Sequence, residues 1–341
     1  MPHPVSHRFI ETNNIRMHIA EQGEGPLVIF THGFPESWYS WRHQMAALAE
    51  AGYHAVAPDQ RGYGQTDRPE PIDAYSLCHL SGDIVGLIYA LNEGPCALIG
   101  HDWGAPVAWT TALLRPDLIH TLGLLSVPFI GTFYDGPVPT EGMQKMQGPD
   151  KYFYQYYFQE PGRAEKELEE DVRGNMLRFF YGASASTPVE KRWRLLFPKT
   201  QRMVDGIPVP TELPPWLSDE DLQYFANEFS QTGFRGGLNW YRNMDRNREL
   251  LAFLKGSKIR QPTYFLAGET DGVIVMYKNA LDRLEENVPN LKGKVILPGA
   301  GHWVQQEKAE ETNRHLLAFL EGENLLGILR QSSQAGLRAG K

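Results

Sequence analysis

An aspartate flanked by glycines lies about a third of the way along the chain and could act as a nucleophile. In the pentapeptide GHDWG, Gly100 and Gly104 stand two positions either side of Asp102 and follow the apolar run PCALI. Such glycines allow a tight strand-to-helix turn, because a side chain there would have little room. Asp102 would then project from a helix N-terminus, where free N–H groups and the helix dipole favour an ionised carboxylate. Asp is also a preferred helix N-cap residue, so the pentapeptide alone leaves nucleophile and cap equally open.

Three histidines follow Asp102 in the chain and could act as its base. His302 follows the last predicted strand within PGAGHW, at the carboxyl end of the sheet, where sites collect in open α/β proteins. His120 opens a predicted strand, and His315 lies within the final predicted helix. We therefore expect His302 to be the base.

The acid that orients this base should follow the preceding strand, where the segment LAGETDG offers Glu269 and Asp271. Asp271 is favoured because the pair Asp271–Gly272 supplies a tight turn and enough reach. Glu269 stays an alternative that the sequence does not eliminate. The resulting order of nucleophile, acid and histidine is typical of the α/β-hydrolase fold, whose nucleophile elbow has the form Gly-x-Nucleophile-x-Gly.

The same fold places an oxyanion hole beside the nucleophile, built from two backbone N–H groups. One belongs to the residue after the nucleophile, here Trp103, and the other to the loop after the third strand, here Phe34 within HGFPES. Because both donors are backbone groups, the identity of the side chains does not test the assignment. The place of HGFPES at a strand end favours a functional loop over a simple Gly–Pro turn.

Short apolar strands alternate with helical segments in the first and last parts of the chain, and Asn13–Asn14 joins two strands as a hairpin. This alternation predicts an α/β protein with a mostly parallel central sheet flanked by helices. In the middle of the chain, strands give way to aromatic residues, prolines and helical periods. We therefore expect a core at 1–128 and 251–341, the latter with a C-terminal tail, and an inserted helical cap, or lid, at 129–250.

The composition is that of an ordinary globular protein of 341 residues, with 42% hydrophobic and 22% charged residues. A net charge of -8 argues against a nucleic-acid partner, because phosphate binding needs clustered Lys and Arg. The longest apolar region, residues 118–134, contains polar residues and is short of a membrane span. Two cysteines, Cys78 and Cys96, and a first segment without signal-peptide features lead us to expect a cytoplasmic protein.

Four motifs together resemble the epoxide hydrolases of the α/β-hydrolase fold: HGFPESWYSWR, PDQRGYGQTDRP, GHDWG and GHW. In the predicted cap, YYFQEPGRAEKELE and GFRGGLNWYRNMDRN are similar to cap segments of the soluble epoxide hydrolases, and the likeness runs from about Arg8 to Leu320. It implies that Tyr157 and Tyr241 grip the epoxide oxygen, since a neutral phenol can donate to the alkoxide that ring opening creates. The mammalian soluble enzymes carry a phosphatase domain ahead of this pattern, which here begins near Arg8, so we expect no phosphatase activity.

The resemblance implies that an epoxide is hydrolysed to a vicinal diol in two steps. Asp102 attacks an epoxide carbon and forms an alkyl ester, and His302, oriented by Asp271, activates the water that hydrolyses this ester. No metal or cofactor is needed. The expected partners are a small apolar epoxide and water, and a homodimer is compatible with the sequence. Four aromatic residues are expected to line an apolar tunnel for the substrate: Phe34, Trp103, Phe129 and Trp240.

Two alternatives stay open at this point. A haloalkane or haloacid dehalogenase also uses an aspartate in this turn and can use the indole of Trp103 as a halide donor, but it needs no pair of cap phenols. A non-catalytic protein of the same fold, binding a small apolar ligand, has no physical need for nucleophile, acid, base and both phenols together. The chain holds 15 tyrosines, so Tyr157 and Tyr241 are informative only through their motifs.

Overall fold

A computed structural model describes residues 3–131 and 137–323 of the chain. The strands of this part are β1 (Ser6–Thr12), β2 (Ile15–Gln22), β3 (Leu27–Thr31), β4 (His54–Pro58), β5 (Cys96–His101), β6 (Ile119–Leu125), β7 (Lys151–Phe153), β8 (Leu196–Pro198), β9 (Thr263–Gly268) and β10 (Leu291–Leu297). Eight of them form one sheet in the order β1-β2-β4-β3-β5-β6-β9-β10. The six strands from β4 to β10 run parallel to one another, and β2 runs antiparallel to both its neighbours. The predicted α/β class with a mostly parallel sheet is confirmed.

Helices cover this sheet and fill the segment between β6 and β9. The α-helices of the described residues are α1 (Arg42–Glu50), α2 (Leu77–Leu91), α3 (Gly104–Leu114), α4 (Pro139–Gln147), α5 (Tyr154–Tyr157), α6 (Arg163–Glu169), α7 (Val172–Gly182), α8 (Asp219–Thr232), α9 (Arg235–Arg242), α10 (Met244–Leu250), α11 (Gly272–Met276), α12 (Lys278–Asp282), α13 (Leu284–Asn287), α14 (Val304–Glu307) and α15 (Ala309–Gly322). Short 3-10 helices span Trp38–Trp41, Ile72–Tyr75, Val189–Lys191, Val204–Gly206 and Ala252–Leu254. Across the described ranges, every helix is too short or too polar to cross a membrane.

The N-terminal hairpin forms where the sequence predicts it. Thr12 pairs with Ile15 across a two-residue turn, and Asn13 and Asn14 have φ values of 45° and 60°. A tight hairpin turn of this kind needs positive φ at both central positions, which asparagine tolerates better than most residues. The two asparagines therefore fix the register of β1 on β2.

Alternate residues of β3 enter two different apolar layers, because successive side chains of a strand point to opposite faces of the sheet. Leu27 and Ile29 join the layer that contains residues of α2 and α3, whereas Val28 and Phe30 join the layer that contains residues of α1 and α15. Every residue of β3 and of β5 is buried. Helices therefore cover both faces of the sheet, which leaves its strand ends as the place for a site.

The chain between β6 and β9 carries helices α4 to α10 and includes the segment predicted as a cap. It also contains the antiparallel ribbon of β7 and β8, in which Tyr152 pairs with Phe197. The sequence predicts no strands between residues 129 and 250, so this part of the prediction is wrong. The two strands have three residues each and are far apart in the chain, so no local period reveals them.

The cap limits of 129–250 stay a prediction, and the tail of the predicted segment 251–341 lies outside the described residues after Glu323.

The turn between β5 and α3 leaves no space for side chains at its two glycines. A Cβ atom on Gly100 would lie 2.2 Å from the carbonyl oxygen of Gly104, and one on Gly104 would lie 1.9 Å from the carbonyl oxygen of Thr31. The Thr31 hydroxyl also donates to the Gly104 carbonyl at 3.0 Å, which holds β3 against the start of α3. The steric role predicted for both glycines is therefore confirmed.

Replacing Gly104 by alanine should lower the free energy of unfolding by about 1–3 kcal/mol, because the added Cβ forces β3 away from the start of α3. Urea unfolding followed by circular dichroism measures this change. Gly142→Ala in α4 is the matched control, since a Cβ there meets nothing within 4 Å and alanine is the better helix former. A Gly104→Ala variant as stable as Gly142→Ala would contradict the steric explanation.

Candidate active site

Asp102 stands at the tip of the turn between β5 and α3 and has a left-handed backbone, with φ of 48°. This region costs a residue other than glycine about 1–3 kcal/mol, so the packed surroundings must hold it. The side chain is 15% exposed, and its Oδ1 accepts a hydrogen bond of 2.9 Å from the backbone N–H of Phe34. The tight turn therefore presents a carboxylate to the cavity that Asp102 and Phe34 both line.

His302 lies between Asp102 and Asp271 and contacts both carboxylates. Its Nε2 is 3.6 Å from Oδ2 of Asp102, and its Nδ1 is 3.1 Å from each carboxylate oxygen of Asp271. The imidazole and the Asp271 side chain are almost fully buried. Because a carboxylate only accepts hydrogen bonds, Nδ1 carries a proton directed at Asp271, and Nε2 is left to face Asp102.

The two acids after β9 have different surroundings. Asp271 accepts a hydrogen bond of 2.8 Å from the Val273 N–H at the start of α11 and also reaches the imidazole. Glu269 is exposed, and its Oε2 accepts a hydrogen bond of 3.2 Å from the Gly299 N–H. The geometry therefore favours Asp271 as the orienting acid, a choice that the sequence leaves open.

Burial opposes the charge of each group in this site, but the attraction between the groups outweighs it. Burial would raise the pKa of Asp102, yet the hydrogen bond and charge of His302 and the charge of His101 hold that pKa below its ordinary value. The pKa of Asp271 is lowered for the same reason, since the attraction of His302 outweighs burial. Burial would lower the pKa of His302, but Asp271 and Asp102 together raise it well above its ordinary value. The resting site therefore holds two carboxylates around one imidazolium.

A second buried pair, Glu36 and His101, supports the loop that carries His302. Nδ1 of His101 is 2.7 Å from Oε2 of Glu36, and its Nε2 is 2.8 Å from the backbone carbonyl oxygen of His302. Burial would raise the pKa of Glu36, but the attraction of His101 lowers it, so Glu36 is ionised. Both ring nitrogens of His101 therefore face oxygen acceptors, one on the Glu36 carboxylate and one on the backbone of His302. Neither residue is assigned a role from the sequence, although both belong to the motifs HGFPES and GHDWG.

Ser126, directly after β6, is another residue that the sequence does not identify. Its backbone is left-handed, with φ of 66°, and its hydroxyl donates to Oδ2 of Asp271. The hydroxyl oxygen of Ser126 also lies 3.3 Å from Nδ1 of His302. The Ser126 hydroxyl therefore helps to hold the Asp271 carboxylate beside the imidazole.

Two tyrosines of the segment between β6 and β9, Tyr154 and Tyr241, line the cavities beside Asp102. Burial raises the pKa of each phenol well above its ordinary value, and the negative charge of Asp102 raises it further. The Tyr241 ring packs edge-on against Trp103 with centroids 5.1 Å apart, and the Gln155 amide donates to the Tyr154 hydroxyl at 2.8 Å. Both phenols are therefore neutral donors that face the carboxylate.

The prediction that Tyr157 lies in the site with Tyr241 is wrong. The Tyr157 hydroxyl donates to Oε2 of Glu167 at 2.7 Å, and its ring packs against Phe197 with centroids 5.2 Å apart. Tyr157 lines neither cavity that reaches Asp102, whereas Tyr154, at the start of the same short helix α5, lines both. The stretch YQYY, residues 154–157, contains three tyrosines within four residues, and the quoted motif begins only at Tyr156, so its letters do not say which ring faces inwards.

Two cavities meet at Asp102. The larger has a volume of about 520 Å³ and is walled by residues of α3, α4 and α10. The smaller has a volume of about 100 Å³ and contains His302 and Asp271. Tyr154 and Tyr241 line both cavities, as Asp102 does. A carbon atom held next to Asp102 can therefore extend one substituent into each cavity.

The four aromatic residues predicted to line the tunnel divide into two pairs. Phe34 lines the smaller cavity and Trp103 lines the larger one. The assignment of Phe129 and Trp240 to the wall is wrong, because neither lines either cavity and both are fully buried. Phe129 packs against the wall residue Trp109 with centroids 5.5 Å apart, and Trp240 packs against Trp103 with centroids 6.1 Å apart.

The arrangement has the parts for attack on an electrophilic carbon. Asp102 supplies the nucleophile, the phenols and the Phe34 N–H can meet a developing oxyanion, and His302 can move a proton. The contribution of the Trp103 N–H stays a prediction. Across residues 3–131 and 137–323, three or more His, Cys, Asp or Glu side chains do not gather in a way that could hold a metal ion.

Comparison with known proteins gives one consistent family. Residues 26–309 match the family described as alpha/beta hydrolase fold. Epoxide hydrolase A of Mycobacterium tuberculosis is 43% identical over 320 residues, which cover 93% of this chain and 98% of that protein. Bifunctional epoxide hydrolase 2 of Sus scrofa is 36% identical over 94% of this chain and 56% of its own length. The solved structure of an epoxide hydrolase from an endophytic Streptomyces has a TM-score of 0.89 and 44% identity, covering 93% of this chain and 96% of that chain.

Replacing Asp102 by asparagine should lower the pKa of His302, because one of the two carboxylates that hold the imidazolium proton is lost. The proton then leaves at a lower pH than in the unmodified protein. A pH titration of the histidine side chains by NMR measures the shift, with His302→Gln to assign the signal. Glu269→Gln is the matched control, because this exposed carboxylate does not contact the imidazole. A His302 titration that is unchanged in Asp102→Asn would contradict the charge arrangement.

Proposed function

The chain belongs to the epoxide hydrolases of the α/β-hydrolase fold, and we propose that it converts epoxides to vicinal diols through an alkyl ester on Asp102. The observation that carries this mechanism is the meeting of one ionised aspartate and two neutral phenols at the junction of two cavities. The walls of the larger cavity support a small apolar epoxide as substrate. Water is the second reactant.

In the first step, Asp102 attacks one epoxide carbon and the ring C–O bond breaks. The oxygen that leaves this carbon becomes an alkoxide, a poor leaving group unless a donor meets it. Tyr154 and Tyr241 supply that donor, since burial and the charge of Asp102 keep both phenols protonated. The tyrosine pair differs from the sequence-based hypothesis in having Tyr154 in place of Tyr157.

Ester formation also changes the protonation of His302. In the free enzyme, Asp102 and Asp271 together hold a proton on the imidazole. The ester carries no charge, so one of these two carboxylates no longer favours the imidazolium. The proton that the imidazolium releases neutralises the alkoxide. The first step therefore ends with a hydroxyl group on the substrate and a neutral imidazole.

In the second step, neutral His302 takes a proton from water while the oxygen of that water attacks the ester carbonyl of Asp102. Asp271 and Ser126 keep the imidazole oriented, and Glu36 with His101 holds its loop in place. The Phe34 N–H, already within 2.9 Å of Oδ1, meets the negative charge of the tetrahedral intermediate. Collapse of this intermediate releases the diol and restores the carboxylate and the imidazolium.

Dehalogenation fits the site less well than epoxide opening. A dehalogenase would use the indole of Trp103 on the departing halide, but here that indole hydrogen-bonds the Tyr241 hydroxyl. Two neutral phenols facing the nucleophile have no task in halide release. A purely ligand-binding protein has no need for the charged group formed by Asp102, His302 and Asp271, which costs free energy to bury.

We also infer a cytoplasmic location. Cys78 is half-buried and Cys96 is buried, and both thiols are free. Free thiols persist in a reducing compartment, whereas secreted proteins commonly pair theirs. The homodimer stays a prediction for sedimentation or light scattering to test.

A single turnover of styrene oxide in heavy-oxygen water, with enzyme in excess, should place the label in Asp102 and leave the diol unlabelled. The reason is that water attacks the carbonyl carbon of the ester and not the substrate carbon. Mass spectrometry of the peptide that contains Asp102 measures the label. In His302→Gln the ester should accumulate and add the mass of the epoxide to that peptide. Label that enters the diol directly would exclude the ester mechanism.

Tyr154→Phe and Tyr241→Phe should each lower kcat/KM for styrene oxide by about 100-fold or more, because one donor to the alkoxide is lost. Steady-state kinetics on diol formation measures the effect. Tyr157→Phe is the matched control: it removes a hydroxyl from the same helix and should keep activity within about 2-fold, with a loss of about 1 kcal/mol in stability from the bond to Glu167. If Tyr157→Phe loses as much activity as Tyr154→Phe, the assignment of Tyr154 is wrong.

A further inference from the structure

One of the residues that line the smaller cavity, Arg192, is positively charged and has no role in the proposed mechanism. Arg192 and Trp193 line this cavity together with His302 and Asp102. The same two residues also line a third cavity of about 330 Å³. Arg192 therefore stands where the active-site space gives way to an outer cavity.

The guanidinium of Arg192 has more N–H donors than its hydrogen bond to Thr187 uses. Its Nε donates to the backbone carbonyl of Thr187 at 3.1 Å, and within the described ranges no carboxylate forms an ion pair with it. The next residue, Trp193, has a buried indole N–H that meets no acceptor in this part of the chain. A guanidinium carries five N–H donors in a planar fork that matches a carboxylate. Arg192 and Trp193 therefore offer a ligand in the smaller cavity a positive charge and N–H donors that the described residues leave unused.

The charges around the outer cavity differ from those of the protein as a whole. Arg192 has Lys191 and Arg194 as near neighbours, in a chain whose net charge is -8. Glu190 and Asp205 line the outer cavity as well, and Asp205 is held by an ion pair of 2.8 Å with Arg202. Of these three cations, only Arg192 also lines the smaller cavity, so it is the one placed to pair with an anion there.

The larger cavity has the opposite character. Its volume is about five times that of the smaller one, 520 Å³ against 100 Å³. Its wall is largely apolar and includes Met143, Met146, Leu251, Leu254 and Met276. A substrate that fills both cavities therefore has a bulky apolar arm on one epoxide carbon and a short arm on the other.

We propose that Arg192 is a specificity-determining residue that binds a carboxylate at the end of the short arm. The preferred substrates are then epoxides whose short arm ends in a carboxylate and whose other arm is apolar. This inference rests on the proposed function, since it places the oxirane beside Asp102. A carboxylate in the smaller cavity without a partner would lose hydration at a large cost, and the bond to Arg192 offsets it.

A series of trans-epoxides tests this proposal. Each substrate carries a long alkyl arm and a second arm of one to five methylenes that ends in a carboxylate or in its methyl ester. At the best spacer length, the acid should have a lower KM than the ester in the unmodified enzyme. Arg192→Gln should reduce the ratio of kcat/KM for acid over ester by about 10-fold or more and change turnover of the ester by less than about 2-fold.

Two further variants make the test specific. Arg194→Gln is the matched control, because this exposed neighbour lines the outer cavity but not the smaller one, and its acid-to-ester ratio should not change. Arg192→Lys keeps the positive charge without the planar guanidinium and should give an intermediate ratio of kcat/KM for acid over ester. This variant also tests the proposal if Arg192→Gln does not fold.

Two results would overturn the proposal: an ester preferred at every spacer length, or an acid-to-ester ratio that Arg192→Gln leaves unaffected, whether or not the activity on both substrates falls. Failure of the covalent mechanism is a separate result. It would be seen in the labelling of Asp102 with a neutral epoxide, whatever the acid-to-ester ratio.

Discussion

Placing three charged side chains in one buried site is the constraint on which the rest of the structure depends. A buried carboxylate without a partner loses its hydration at a cost of several kcal/mol, so Asp102 and Asp271 need the imidazolium of His302 between them. In the proposed mechanism, the same proton that stabilises the resting site has to leave before water can be activated. Ester formation then removes the charge of Asp102, and with it one of the two attractions that hold this proton.

The parallel sheet is what brings these charges together. Asp102 follows β5, Ser126 follows β6, Asp271 follows β9 and His302 follows β10, so each comes from the carboxyl end of a strand. Because these four strands are neighbours and parallel, their ends meet at one edge. The buried pair of Glu36 and His101 ties the loop after β3, which carries Phe34, to the loop after β10, which carries His302.

The segment between β6 and β9 supplies both the phenols of the proposed mechanism and the residues proposed to select the substrate. Tyr154 and Tyr241 come from it, and so do Arg192 and most of the wall of the larger cavity. The core supplies the proposed nucleophile, acid and base, whereas the shapes and charges of the two cavities determine which arms of the substrate fit.

The sequence by itself determined what depends on neighbours along the chain. The glycines of GHDWG, the hairpin at Asn13–Asn14 and the alternation of strands and helices are local steric and periodic signals, and they predicted the fold, Asp102 and His302. Only the tertiary structure decided between Asp271 and Glu269 and showed that Tyr154, not Tyr157, lines the cavities. It also showed that Phe129 and Trp240 lie outside the cavity wall and that Glu36 pairs with His101. Each of these depends on which side chain from a distant segment faces the same small volume, and burial, charge and hydrogen bonding act there across space and not along the chain.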